Sequence, residues 1–304
     1  MSQHQKAVTS EAMRKSAVLV TFNGGYYNWK RRDKKAEIEY LKSKGVETRG
    51  AIESKKNLFA GCDGLLAQIK ALITEARAFH YDHTMPYPGA AGICMNRIVP
   101  VYTKGIVQNQ NKLETLLESL TAEWDTMIHN AQTTLGPLFN AAEYPALSAV
   151  REACYVTAKF SPIPMPSDYD ELTQVEESLK DKLRTEVADE TSEAFNKAIM
   201  VGWDRLRAAI ANARENLHKT GEKQRFRTEW FDNLTSLLGI LEGLNLSNDP
   251  ALTEIGEECA ALLKYTPEEL KQSLYKRDEL ADTADAIHSK LDGIFASFGN
   301  KEAN

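Results

Sequence analysis

His80 and His83 stand three residues apart with Asp82 between them and Cys94 a short way on, and imidazole and thiolate are donors that suit zinc. At that spacing two rings share a helix face, but this pair runs straight into Thr84, Met85, Pro86 and Tyr87. The spacing is poor evidence for a metal, and histidines bonded to backbone are the expectation. No metal or other cofactor is therefore expected. A stronger chemical signal lies nearer the start, where Tyr26, Tyr27 and Trp29 are followed at once by Lys30, Arg31, Arg32, Lys34 and Lys35. Cations neutralise phosphates while aromatic faces stack on unpaired bases, so the combination fits single-stranded nucleic acid. The competing reading packs the aromatics in the core and leaves the cations at a solvated helix start, where they oppose the helix dipole at a small cost. A second mixed cluster, Lys223, Arg225, Phe226, Arg227 and Trp230, heads another helix; one face of that helix must be core, so its aromatics are assigned to packing.

Several chemistries have no support. GxxxxGK[ST] is absent, and NGGYYN lacks the further glycine and helix start of a phosphate cradle. GxSxG, HExxH and DxDxDG are missing too. The acidic pairs Glu176–Glu177 and Glu257–Glu258 fall on exposed helix faces, where solvated charge is the rule. No catalytic residue is named, and an enzyme is not expected. With 304 residues, 42% hydrophobic, 26% charged and a net charge of -6, the chain is globular in class and has room for two lobes. The acidic balance argues against a surface that grips nucleic acid all round, though not against a local basic patch. Four scattered cysteines without a CxxC pair, and a start without an apolar run, point to reduced thiols in the cytoplasm. No window approaches the length of a membrane span.

The element that organises the rest is residues 170–219, which contain no proline and a single glycine, Gly202. Leu172, Val175, Leu179, Leu183, Val187, Phe195, Ile199, Trp203, Leu206, Ile210 and Leu217 form one stripe, with Thr191 and Ala213 as weak steps. Its period exceeds 3.5, so a left-handed heptad coil is not favoured. A helix of that length is a rod of roughly 75 Å, and one end must project or be clasped. Ser167 and Asp170 are placed to start it, and His218, Lys219 and Gly221 to end it.

In chain order, residues 1–15 are polar and expected to fray, and 17–22 (AVLVTF) reads as a strand. Asp33 starts a short helix closing at Gly45, and an extended piece is allowed at 46–52. Residues 62–79 form a second helix. HYDHTMPYPGAAG, residues 80–92, carries two prolines and two glycines and is expected to be irregular. Residues 102–135 give a third helix, and 154–160 a strand that partners 17–22. Beyond the rod, 223–244 is helical, Pro250 opens another helix, and Thr266, Pro267 and Glu269 make a capping box for a final helix bearing Leu270, Leu274, Leu280, Ala284, Ile287, Leu291, Phe295 and Phe298. Only the KEAN tail reads as disordered. The fold class is mainly α: a long-helix bundle with a small antiparallel β-sheet in the N-terminal half. Proline-rich 161–166 is the expected lobe boundary, dividing 1–166 from 167–304.

At residues 29–35, at KKNL (55–58) and at 78–92 with its HYDHTMPY core, the chain resembles an uncharacterised family of bacteriophage and plasmid proteins whose genes are often found near MoxR-type AAA+ ATPase genes. The resemblance covers most of residues 15–300 in element order, with its specific motifs confined to the first half. It implies a recurring tryptophan, here Trp29, and a threonine-x-proline-aromatic loop, here Thr84, Pro86 and Tyr87. No catalytic or binding residue comes with it. The partner it implies is a MoxR-like ATPase, through gene neighbourhood.

The expectation is a non-enzymatic phage or mobile-element protein that self-associates or docks on a protein partner through exposed parts of the rod, with His80, His83, Thr84, Pro86 and Tyr87 as an interaction loop. The alternative is a single-stranded nucleic-acid-binding accessory protein using Tyr27, Trp29, Lys30, Arg31, Arg32, Lys34 and Lys35.

Overall fold

β-Branched Val18, Val20 and Thr21 favour an extended chain, and Ala17–Gly25 is strand β1 in the computed structural model, which describes residues 10–45, 52–219, 229–245 and 250–299. Ahead of it Ser10–Ser16 is helix α1. The frayed start is thus corrected from residue 10 onward, because Met13 has a core to enter; residues 1–9 lie outside the described ones. β2 is Lys30–Arg32 and α2 is Lys34–Ser43, capped by the Asp33 carboxylate accepting from the Ala36 amide at 3.0 Å. β3, Lys55–Asn57, pairs antiparallel with β2; most of the expected extended piece, 46–51, is outside the described residues.

α3 runs over Gly64–His83, and β4 (Met85–Pro86) and β5 (Ala91–Met95) follow as a hairpin. The expectation of irregular chain at 80–92 is corrected here. His80 to His83 are the last turn of α3, and Pro86 is accommodated because β4 is an edge strand, where a missing N–H costs no ladder bond. The turn between the strands passes through Gly89 at φ 75. α4 spans Val99–Leu135, α5 Leu147–Ala153 and β6 Tyr155–Ser161. The four-stranded sheet has the order β4-β5-β1-β6, so β1 does neighbour the expected strand, and it also pairs with β5 from Ala17↔Met95 to Thr21↔Ala91.

α6 is Glu177–Leu217, 41 residues and roughly 60 Å long. It starts seven residues later than the periodicity predicts. Pro166–Tyr169 is a short 3-10 turn, and Gln174 at φ 62 holds the chain out of the helix. Asp170 does not cap; its carboxylate takes a hydrogen bond from Arg184 Nε at 2.8 Å. From Val187 to Leu217 every position of the predicted stripe is buried, and the helix packs on α7 (Glu229–Leu244) and α10 (Leu274–Gly299). The predicted stretch 220–228, with Lys223, Arg225, Phe226 and Arg227, is outside the described residues, as are Gly221 and the KEAN tail. Trp230 is buried, in keeping with a packing role.

α8 is Pro250–Ala261 and α9 is Pro267–Gln272, opened by the expected box: Thr266 Oγ1 accepts from the Glu269 amide at 3.3 Å and Glu269 Oε2 accepts from the Thr266 amide at 2.8 Å. The single final helix is corrected to two, because Ser273 is extended (φ -129) and its hydroxyl accepts from the Lys276 amide to start α10. The described fold is therefore mainly α with a small antiparallel sheet in the N-terminal half. No helix among the described residues is long and apolar enough to cross a membrane.

Two compact units divide these elements. One takes the described parts of 1–22, 79–103 and 158–304, and the other those of 23–78 and 104–157. The core of the second centres on Phe59, whose ring lies 5.3 Å from both Trp124 and Tyr144, with Leu66, Ile69, Ile73, Leu113 and Leu120 buried around it. In the first, Phe195, Trp203, Leu206 and Ile210 of α6 are buried with Trp230, Leu234, Ile287 and Leu291. Each such side chain stabilises by about 1.5–3 kcal/mol on leaving water.

Candidate functional site

In the second unit the basic run folds into the β2–β3 ribbon and the first turn of α2. The register sets Arg32 opposite Lys55 and Arg31 opposite Lys56, adding two cations from a distant part of the chain. Both guanidiniums are already engaged. Arg32 makes a two-toothed pair with the buried Glu37, Nε to Oε2 at 3.0 Å and Nη2 to Oε1 at 2.8 Å. Arg31 donates to the Tyr27 hydroxyl and to Asn28 O, and its guanidinium lies 5.1 Å from the Tyr27 ring. Lys56 is tied to Glu143 at 2.5 Å. Trp29 is buried, so its ring is not offered to a base, while Tyr27 is half-buried. Lys30, Lys34, Lys35 and Lys55 are exposed.

In the first unit the five loop residues gather at the end of α3 and the β4–β5 hairpin. His80 is 3% exposed; its Nδ1 is 2.9 Å from the Tyr102 hydroxyl and its ring stacks on Phe22 at 5.5 Å. Burial pulls its pKa from 6.5 down to about 4, because the charged ring would lose its water. His83 Nδ1 sits 2.8 Å from Phe79 O, which accepts only, so Nδ1 carries a proton. Thr84 Oγ1 donates to His80 O at 2.8 Å, Pro86 pairs opposite Gly92, and the half-buried Tyr87 begins the turn. Burial pushes the Cys94 thiol up to about 12, which keeps it protonated. Among the described residues no three His, Cys, Asp or Glu converge on a point fit for a metal ion.

Beside His83 a cleft of about 450 Å³ opens between the end of α3, the C-terminal third of α6 and the start of α7. Ala208 and Ala209 leave the hollow, and Asp82, Arg205 and Asp232 bring charge to its wall. Arg205 Nη1 donates to Tyr81 O at 2.7 Å and Thr84 O at 2.9 Å, the carbonyls at the negative end of α3. Desolvation lowers its pKa, against the pull of Asp82. Sequence reasoning missed Arg205 and Asp232; each reads as an ordinary helix charge.

The third candidate is the start of the rod. Leu172, just ahead of α6, and Leu179 within it are 38% and 48% exposed, and Val175 and Leu183 are half-buried, before the stripe becomes covered at Val187. Arg184 binds Asp170, Glu177 and Asp181 together, folding the preceding turn against α6. No family model matches the chain, and no curated protein or solved structure matches it.

Proposed function

We propose that this is a non-enzymatic protein that works by association, its first contact being a second copy meeting the uncovered beginning of the α6 stripe. The observation that carries the reading is that Leu179 and Leu183 continue the stripe of α6 ahead of its buried positions from Val187 onward, with Leu172 exposed in the chain just before the helix: the apolar pattern outruns its cover. The flanks suit a second copy. Lys180 and Lys182 alternate with Glu177, Asp181 and Glu186, so two such helices laid antiparallel set unlike charges side by side. The resemblance to phage and plasmid proteins makes a MoxR-like AAA+ ATPase the heterologous partner to try next. Light scattering over a hundredfold range of concentration tests the reading: the chain runs above monomer mass, and Leu172→Glu with Leu179→Glu returns it to monomer. A strict monomer at every concentration overturns self-association, and transfer of the same two-leucine dependence to ATPase binding replaces the second copy with that partner.

A second reading, single-stranded nucleic acid on the ribbon, is favoured by the exposed ammonium groups of Lys30, Lys34, Lys35 and Lys55. Four phosphate contacts give a log-log salt slope of about -3 for a single strand. Anisotropy with a labelled oligonucleotide at two salt concentrations checks this, with Lys30→Glu and Lys34→Glu as the variants; salt-independent or absent binding removes it.

A further inference from the structure

The cleft beside His83 is a site in its own right, separate from the α6 stripe and from the basic ribbon. Arg205 is its central group. Nη1 is committed to the carbonyls of Tyr81 in α3 and of Thr84 just beyond it, but among the described residues Nε and Nη2 donate to nothing and no carboxylate lies within ion-pair distance. A half-buried guanidinium with spare, parallel donors is suited to a carboxylate, which accepts both at once. The rest of the wall has the opposite sign. Asp82 and Asp232 are carboxylates, and the His83 ring lines the same cleft. Two negative groups repel a phosphate dianion, and one positive group repels a diamine; a ligand carrying one charge of each sign satisfies both. Phe79 and Leu237 add apolar surface beside these groups.

We propose that the cleft binds a free α-amino acid, its carboxylate on Arg205 and its ammonium group toward Asp232 and Asp82. The volume, about 450 Å³, leaves room for a side chain against Phe79. Ala208 is exposed on the cleft side of α6, so a larger residue there fills the hollow without entering the core.

Calorimetric titration of the full chain with each of the common amino acids, and separately with acetate, putrescine and inorganic phosphate, tests this. At least one amino acid binds, and the three probes, each bearing charge of one sign only, bind at least tenfold more weakly. Arg205→Lys keeps the charge but loses the fork, and weakens binding at least tenfold. Ala208→Leu abolishes binding with an unchanged unfolding midpoint, which guards against Arg205→Lys acting by loosening α3. The proposal is overturned if no amino acid binds, if phosphate or putrescine binds as well as the best of them, or if Ala208→Leu leaves binding intact. None of these outcomes bears on self-association, which is read by mass.

Discussion

The hydroxyl of Tyr102 on α4 and Nδ1 of His80 on α3 stand 2.9 Å apart, with both side chains buried. Burial makes His80 a group whose charge the folded state resists. Its pKa falls from 6.5 to about 4 on burial, so between those values the unfolded chain binds the extra proton and the folded chain does not. Stability from this source is complete above about pH 6.5 and is lost as pH falls toward 4, by up to about 3 kcal/mol. Urea midpoints measured from pH 7 to pH 4 should fall over that window, and His80→Gln should flatten the fall. A wild-type profile as flat as the variant's would show that the buried ring is not what titrates.

Gly92 is a packing constraint on the same hairpin. A Cβ there would lie 2.6 Å from Thr84 Oγ1 and 2.7 Å from Thr84 Cβ, and Thr84 is itself held by its bond to His80 O. Gly92→Ala should destabilise by about 1–3 kcal/mol. Chemical denaturation measures it, with Gly64→Ala as a control whose added Cβ has no neighbour within 4 Å.

The Thr266–Glu269 box closes the start of α9 from both sides. Thr266→Ala should cost about 1 kcal/mol and Thr266→Ser much less, since the serine hydroxyl still accepts the Glu269 amide. Thermal melts of the two variants, compared with wild type, decide between a cap and an idle surface threonine.

Glu37 is a buried carboxylate whose pKa the Arg32 guanidinium holds below the usual range. Arg32→Ala should therefore lower the melting temperature, whereas Lys30→Glu and Lys34→Glu, at exposed positions, should leave it near wild type. Equal melting of Arg32→Ala and wild type would mean that the pair is ornamental. The contrast also dictates how the ribbon is probed: charge reversal at Arg32 confuses lost binding with lost folding.

Local signals carried much of this fold into view. Asp33 capping α2, the Thr266 box, and the α6 stripe from Val187 to Leu217 each depend on residues within a turn or two, and each is where the spacing puts it. The start of α6 was not legible, because Leu172 and Val175 continue the helical period while Gln174 takes a left-handed conformation that its type does not announce. Pro86 misled for a related reason: a proline excludes an inner strand but not an edge, and the edge is defined only once β5 has paired with β1. The ribbon's real chemistry was hidden too, since Arg31, Arg32 and Lys56 look free in a string of letters and are bound in space. Arg205 is the mirror case, an unremarkable helix cation that acquires spare donors only when α3 ends beside it.

The unit that holds α6 also holds β1 and α10, which lie near opposite ends of the chain. A ribosome releases β1 long before α10 exists, so that unit waits for nearly the whole polypeptide, while residues 23–157 already contain everything the other unit needs. Newly made chains therefore pass through a stage with one half settled and the α6 stripe wholly bare, and a chaperone or a sister chain meets the protein at its most adhesive moment.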